Sequence, residues 1–382
     1  MKNTMKDELQ LMVDPLYLYD SVALIASFAC GLLTIPVVLD FCRERGLFDI
    51  PNFRKVHKKA IPRLGGVVFV PSMIVGVLIV MEMFQLSGQQ AMSFSLWTLY
   101  FLLGLFAIYF TGLVDDLTGL RARTKLLIQL LAAVVLPLSG LYINDLQGFL
   151  GIHEIPFWLG APLTTVVVAF ICNSINLIDG IDGLCAGLTL TALGGFYCAF
   201  KDWGLDVYCV LIAALIGVLV AYLYFNLFGD ETRNRKIFMG DTGSLSLGFL
   251  LAFLGLKLSM VNDSIVSFDG NGLLISFTLL IVPVFDVFRV ALVRIRNHRS
   301  PMAPDKNHIH HKLMRAGLSQ AQALVAILAL AVGYILLNLL LQHIGVQLTA
   351  IVCADIVIYT ALHLGLDALL RRKGQPAQLF ED

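Results

Sequence analysis

Apolar runs of about 20 residues recur along the chain, and a helix of that length crosses the hydrocarbon core of a bilayer. Because 58% of the 382 residues are hydrophobic and only 14% are charged, an ordinary soluble protein is excluded. We predict an all-α polytopic membrane protein with about eleven transmembrane helices, which form a single integral-membrane domain over residues 1–382. The predicted spans are 19–42, 65–84, 93–114, 125–143, 158–177, 184–200, 207–228, 242–261, 271–293, 322–343 and 347–369.

The Lys and Arg residues are distributed unevenly among the loops, and this bias predicts the orientation of the chain. Five segments on one side of the membrane carry 22 of the 27 basic residues: 43–64, 115–125, 229–240, 294–321 and 371–373. Because an excess of Lys and Arg marks short cytoplasmic loops, these segments are predicted to face the cytosol. With eleven spans, the N-terminus is then outside, the C-terminus is cytoplasmic, and the active site is expected at the cytoplasmic face.

Net charge and cysteine content exclude further classes of partner. The chain has 27 basic and 27 acidic residues, so it lacks the basic excess that nucleic-acid binding usually requires. Its seven cysteines include no Cys-x-x-Cys pair and lie mostly in apolar runs. They are therefore predicted to be small buried side chains and not a disulfide framework or a metal site.

Two adjacent aspartates end the third predicted span in the string FTGLVDDLTGL. There Asp115 and Asp116 can reach water and avoid the cost of about 2.5–3.5 kcal/mol for a charge at the bilayer centre. Neighbouring side chains on a helix point about 100° apart, so one carboxylate is expected to act and the other to orient. A solvated helix end is the alternative interpretation.

The string NSINLIDGIDGL places Asn173, Asn176, Asp179 and Asp182 at intervals of three residues beside two glycines. In a regular helix these side chains would fan out and not converge. Glycine lets the backbone bend and approach a ligand closely, so a broken helix end that lines a polar pocket is predicted. A Gly-rich reverse turn is the alternative.

A cationic loop meets an acidic helix start in FNLFGDETRNRKIFMGDTGSLSLG. Asp241 is predicted to be a magnesium ligand, because Mg²⁺ takes one or two carboxylates together with phosphate oxygens. A helix N-cap is the alternative role. Phe238 is either an aromatic surface for a flat base or ordinary packing at the membrane interface.

Four of the eight histidines lie in RIRNHRSPMAPDKNHIHHKLMRAGLS. His308, His310 and His311 stand among basic residues, which favours binding of a diphosphate over a zinc site, since no partner has zinc-finger spacing. A solvated basic loop is the alternative. In the preceding span, Asp286 and Arg289 are three residues apart on one helix face, so they are predicted to form an ion pair or to take part in the site.

Together LVDDLTG, NSINLIDGIDGL, FNLFGDETRNRKIFMGDTGSLSLG and NHIHHKL resemble the polyprenyl-phosphate N-acetylhexosamine-1-phosphate transferase family, glycosyltransferase family 4. The resemblance implies transfer of a sugar-1-phosphate from a UDP-sugar to undecaprenyl phosphate, with release of UMP. It further implies a multi-pass protein of the bacterial inner membrane that initiates synthesis of a cell-envelope polysaccharide such as lipopolysaccharide. A homodimer is a possible oligomeric state of such a protein.

Two strings separate the branches of this family. HIHHKL, and KVHKKAIPRLGG at 55–66, resemble the GlcNAc-1-phosphate transferases. The peptidoglycan branch has three successive histidines and a Thr-Pro-Thr-Met-Gly-Gly string instead. UDP-GlcNAc is therefore the expected donor. A phospho-MurNAc-pentapeptide transferase is one alternative, and a secondary transporter, whose spans also carry charges, is the alternative from another class.

The resemblance also implies roles for individual residues. The catalytic residues would be Asp115, Asp116 and Asp241, with Mg²⁺ on Asp241 and Mn²⁺ as an alternative ion. The substrate-binding residues would be Lys58, Lys125, Asn176, Asp179, Asp182, Asn226, Phe238, His308, His310 and His311.

Overall fold

The computed structural model describes residues 15–49, 60–87, 96–230, 235–261, 271–303 and 305–380. Within these ranges the secondary structure is helical except for one pair of two-residue strands, β1 Phe48–Asp49 and β2 Ile61–Pro62, so the predicted all-α class is confirmed. The helices are α1 Pro15–Arg45, α2 Phe69–Leu86, α3 Leu96–Thr118, α4 Ala122–Leu138, α5 Phe157–Ile178, α6 Leu184–Asp202, α7 Asp206–Phe228, α8 Gly240–Ser259, α9 Gly272–Arg296, α10 Ile309–Arg315, α11 Gln320–His343 and α12 Leu348–Arg372. Short 3-10 turns occupy Gly65–Val68 and Phe149–Gly151.

Ten of the described helices are long and apolar enough to cross a membrane, and the chain is therefore a multi-pass membrane protein. The predicted span 125–143 corresponds to α4, which has 17 residues. At about 1.5 Å per residue, α4 is about 25 Å long, slightly shorter than the roughly 30 Å hydrocarbon core of a bilayer. The remaining helix, α10, has seven residues and follows α9 outside the candidate spans.

Helix α8 lies at the centre of the bundle. Its apolar stretch is entirely buried inside the protein, whereas only 22% of the corresponding stretch of α11 is buried. Helices α3, α5 and α9 pack directly against α8. Small residues make this close packing possible: a Cβ atom on Gly248 would lie 2.6 Å from the Cα atom of Cys172 in α5. The outer helices instead expose leucine and valine side chains, as expected of surfaces that face lipid.

The start of α8 is held by the segment that precedes α2. Phe238 donates its backbone N–H to the carbonyl of Pro62 at 2.8 Å. Gly65 and Gly66 donate theirs to the carbonyls of Phe238 and Met239, at 2.8 and 2.7 Å. A Cβ atom on Gly66 would collide with the backbone of Gly243. These contacts place the β2 segment beside the first turn of α8.

We expect Gly112→Ala to destabilise the fold, because a Cβ atom at this position would lie 2.5 Å from the Cα atom of Thr242. Forcing α3 away from α8 should cost about 1–3 kcal/mol of unfolding free energy, the usual range for overpacking a core. Thermal unfolding of the purified protein in detergent measures the change.

Gly194→Ala is the matched control, because Gly194 is also helical and a Cβ atom there would meet nothing within 4 Å. This variant should unfold at the parent temperature or slightly above it, since alanine favours helix formation. Equal stability of the two variants would contradict the close approach of α3 and α8.

Candidate active site

A cavity of about 800 Å³ opens where α3, α5 and α7 end and α8 begins. Its volume is in the range of small-molecule binding sites. Nine of the residues that the sequence singled out line the cavity: Asp115, Asp116, Asn176, Asp179, Asp182, Asn226, Phe238, Asp241 and His311. Lys125 contacts two of these side chains, His308 and His310 lie behind the wall, and Lys58 lies outside the described residues.

Asp116 binds the start of α8. Its carboxylate accepts the backbone N–H groups of Asp241 and Thr242, both at 2.9 Å, and the Thr242 hydroxyl at 2.6 Å. The first N–H groups of a helix have no partner within the helix, so a buried carboxylate satisfies them well. Asp116 is 4% exposed. Asp116 therefore binds the first turn of α8, and the alternative that Asp241 caps its own helix is wrong.

Asp115 and Asp241 meet around one ammonium group. Lys125 donates to Asp115 at 2.9 Å and also to Asp241. The second Asp241 oxygen accepts the side-chain amide of Asn176 at 2.9 Å, and the second Asp115 oxygen accepts the backbone N–H of Leu120 at 2.5 Å. Residues from α3, α4, α5 and α8 thus converge at one point, although they are up to 126 positions apart in sequence.

The carboxylates of Asp115 and Asp241 suit a hard divalent cation, because both already approach the same positive charge. No group of three or more His, Cys, Asp and Glu side chains forms a preassembled metal cage in the described part of the chain. Mg²⁺ does not require one, since it is commonly held by one or two carboxylates, water and substrate phosphates. The residues present therefore fit this ion.

The predicted break between two helices is confirmed at residues 179–183. Helix α5 ends at Ile178, α6 begins at Leu184, and Gly183 has a φ angle of 74°, a value that glycine adopts readily. Asp182 accepts a hydrogen bond from Lys236 at 2.7 Å. Burial, followed by the neighbouring carboxylates of Asp241, Asp182 and Asp116, raises the pKa of Asp179 to about 7. Asp179 therefore exchanges its proton near neutral pH.

Asn226 holds the loops of this region together. Its side-chain oxygen accepts the backbone N–H of Gly183 at 2.8 Å, and its amide donates to the carbonyl of Ile237 at 2.9 Å. Asn226 is 2% exposed, although it borders the cavity. Its hydrogen bonds join the broken helix end to the segment that leads into α8.

The ion pair of Asp286 and Arg289 is confirmed, with a distance of 2.9 Å. Asp286 also contacts the ring nitrogen of His308 at 2.7 Å and accepts the backbone N–H of Ile309 at 3.0 Å. This pair therefore orients the first histidine of the motif from a position behind the cavity wall.

His310 packs against Gly180, where a Cβ atom would collide with the imidazole ring. Both ring nitrogens of His310 are buried and have no hydrogen-bond partner among the described residues. Burial lowers the pKa of His310, and burial followed by the nearby cationic groups lowers the pKa of His311 to about 4. Both imidazoles are therefore neutral at pH 7. Of the three predicted histidines, His311 is the one that lines the cavity.

The cavity wall includes residues that the motifs did not indicate, among them Asp49, Arg63, Tyr222 and Gln320. Arg63 is the important addition, because the described residues of the lining include six aspartates and, among Lys and Arg side chains, Arg63 alone. The Nε atom of Arg63 has no hydrogen-bond partner in the described structure. The basic string at 55–66 was the available signal, but only the pairing of β2 with β1 and the contacts with α8 place Arg63 at the cavity.

The fold and the cavity define a multi-pass membrane protein with an acidic binding site at one end of its helix bundle. Residues 98–259 match the family model described as glycosyl transferase family 4. The "Probable undecaprenyl-phosphate N-acetylglucosaminyl 1-phosphate transferase" of Bacillus subtilis is 31% identical over 380 residues, which cover 97% of this chain and 98% of the relative. Two proteins named undecaprenyl-phosphate alpha-N-acetylglucosaminyl 1-phosphate transferase, from Yersinia pestis and Escherichia coli, are each 30% identical, with 80% of both chains covered.

The chain therefore belongs to glycosyl transferase family 4, the polyprenyl-phosphate N-acetylhexosamine-1-phosphate transferases. The resemblance inferred from the four motifs is confirmed. Membership in a family of transferases also removes the support for a secondary transporter.

The contact between Gly180 and His310 can be tested by coupled substitutions. Gly180→Ala should destabilise the parent protein by about 1–3 kcal/mol, because the added methyl group displaces the buried ring. In a His310→Ala background the same change should cost much less, because the space is then free. Thermal unfolding of the four proteins in detergent measures the coupling. An equal cost in both backgrounds would contradict the contact.

Proposed function

We propose that the protein transfers GlcNAc-1-phosphate from UDP-GlcNAc to undecaprenyl phosphate and releases UMP. The observation that carries the proposal is the convergence of Asp115, Lys125, Asn176 and Asp241 at the wall of one cavity. The names of the relatives support the acceptor lipid and the sugar. The product would be a lipid diphosphate-linked sugar that begins a cell-envelope polysaccharide.

The main barrier to this reaction is electrostatic, because a lipid phosphate must attack a diphosphate that is also anionic. Asp241, with Asp115 beside it, would hold Mg²⁺, and the bound ion supplies positive charge that offsets this repulsion. Lys125 keeps the two carboxylates together. Arg63 offers a second cation at the cavity wall and would bind a phosphate group.

The remaining residues would position the donor. Phe238 would stack on uracil, and Asn176, Asp179 and Asp182 would bind the nucleotide-sugar with neutral His311 as a further hydrogen-bonding group. The second ionisation of a phosphate monoester lies near pH 6, so the acceptor is mostly dianionic at neutral pH. Most acceptor molecules are therefore already deprotonated, so the reaction depends little on Asp115 as a base. We therefore propose direct in-line displacement, with a phospho-aspartyl intermediate as the alternative.

We also propose the orientation of the protein in the bacterial inner membrane. If α4 also crosses the membrane, the number of spans is eleven. In the proposed orientation α1 then begins outside and α12 ends in the cytoplasm. The cavity then faces the cytosol, because α3, α5 and α7 end there and the basic loops lie on the same side. This side is where a UDP-sugar is available, whereas the acceptor lipid can enter from the surrounding bilayer.

Mass spectrometry of lipid products tests the donor and the chemistry together. Purified protein is incubated with undecaprenyl phosphate, Mg²⁺ and equal amounts of UDP-GlcNAc, UDP-GalNAc and UDP-MurNAc-pentapeptide. We expect a GlcNAc-diphosphate lipid, and we expect Asp241→Asn to lower its formation about 100-fold or more because charge stabilisation is lost. A different sugar in the product would replace the donor assignment, and no product from a folded protein would refute the reaction.

Removal of divalent cations tests the metal separately. Protein treated with EDTA should release no UMP, and added Mg²⁺ or Mn²⁺ should restore the release. In the Asp115→Asn variant the Mg²⁺ concentration for half-maximal activity should rise, because one of two adjacent carboxylates loses its charge. Full activity in EDTA would contradict the proposed ion.

A further inference from the structure

The end of the chain lies against the segment that carries the histidines. Residues 373–380 follow α12 and are named here the C-terminal tail. Phe380 pairs with Asp305 in an isolated antiparallel bridge, and the backbone N–H of Lys306 donates to the carbonyl of Leu379 at 3.3 Å. The tail therefore lies as a short extended segment beside the residues that directly precede His308.

Asn307 is the residue through which the tail contacts the site. Its side-chain oxygen accepts the backbone N–H of Leu379 at 2.8 Å, and its amide donates to the Leu379 carbonyl at 3.2 Å. The Asn307 carbonyl accepts Arg289 at 2.6 Å. Asn307 is completely buried. It thus joins the tail on one side to the Asp286–Arg289 pair on the other.

The C-terminal end of α10, the helix that carries His310 and His311, also contacts the tail. Arg315 donates to the carbonyl of Pro376 at 2.9 Å, and Lys373 donates to the carbonyl of Ala316 at 2.5 Å. Within α10, Lys312 forms an ion pair of 2.6 Å with Asp367 of α12. Both ends of α10 are therefore attached to α12 and the tail, with His310 and His311 between them.

Backbone groups of the tail make most of these contacts, so its conformation matters more than its side chains. If Leu379 lost its N–H group, the Asn307 side-chain oxygen would be left buried without its donor. An unsatisfied buried acceptor is unfavourable, and a change in the position of residue 307 relieves that cost. His308 follows in the chain, and His311 lies one helical turn further, at the cavity.

We propose that the C-terminal tail is a positioning element of the active site, which acts through Asn307 to set the place of His311 at the cavity wall. This inference rests on the proposed function, since the ligand that His311 would meet is the UDP-sugar. Leu379 and Asn307 are positioning residues, because they lie behind the wall and do not touch the cavity.

Leu379→Pro tests the proposal, because proline removes the N–H group that Asn307 accepts, and Leu379→Ala is the matched control that keeps it. We expect the proline variant to raise the KM for UDP-GlcNAc about tenfold, with kcat within about twofold of the parent and a lower unfolding temperature, because a buried hydrogen bond is lost. The alanine variant should keep the parent KM. Equal KM values in the two variants would overturn the proposal.

Hydrogen exchange of the backbone gives a second measurement that does not depend on activity. Amides of residues 305–311 should exchange faster in Leu379→Pro than in Leu379→Ala, whereas amides of α3 should exchange equally in both. Equal exchange at 305–311 would overturn the positioning role even if the parent protein forms no lipid product. A parent that releases UMP, combined with variants of equal KM and equal exchange, would leave the transferase function in place and remove only the role of the tail.

Discussion

The hydrogen bonds that Asp116 accepts at the start of α8 are the contact on which the active site depends. A helix that begins inside a protein presents backbone N–H groups that water cannot satisfy. Asp116 satisfies two of them and the Thr242 hydroxyl, and its negative charge is favourable at the positive end of the helix. The same bonds fix the backbone of Asp241, whose carboxylate then reaches Lys125 and Asn176. Asp116 therefore joins the end of α3 to the first turn of α8 at the place where Asp115 and Asp241 meet.

The concentration of carboxylates in one cavity is the second constraint. Six of the described aspartates line it, and the elevated pKa of Asp179 reflects first its burial and then the like charges of its neighbours. Lys125 and Lys236 offset part of this charge through ion pairs, and Arg63 adds a further cation. Anionic substrates would need additional positive charge at such a site, and this is the reason that a divalent cation is part of the proposal.

The motifs predicted most of the residues that line the cavity, but they did not predict the different contacts that neighbouring motif residues make. Asp115 and Asp116 were one pair in the sequence, yet Asp116 binds backbone amides while Asp115 meets Lys125. The three histidines were one cluster, yet His308 contacts Asp286 and His310 packs on Gly180. Residues adjacent in sequence point in different directions on a helix, so a motif indicates that a region matters before it indicates which side chain faces the ligand. Arg63 and the tail could not be found this way, because their partners are distant in sequence.

The sequence by itself determined the membrane character, the all-helical class, the family and most of the residues at the cavity. These properties depend on local patterns: the length of apolar runs, the position of charges at their ends, and short motifs. Only the tertiary structure decided that α8 occupies the centre, that Asp116 binds its first turn, and that the last residues of the chain hold the histidine segment. Such contacts join residues up to 126 positions apart, and they follow from how helices pack, since a close approach depends on small residues and buried polar groups on both partners.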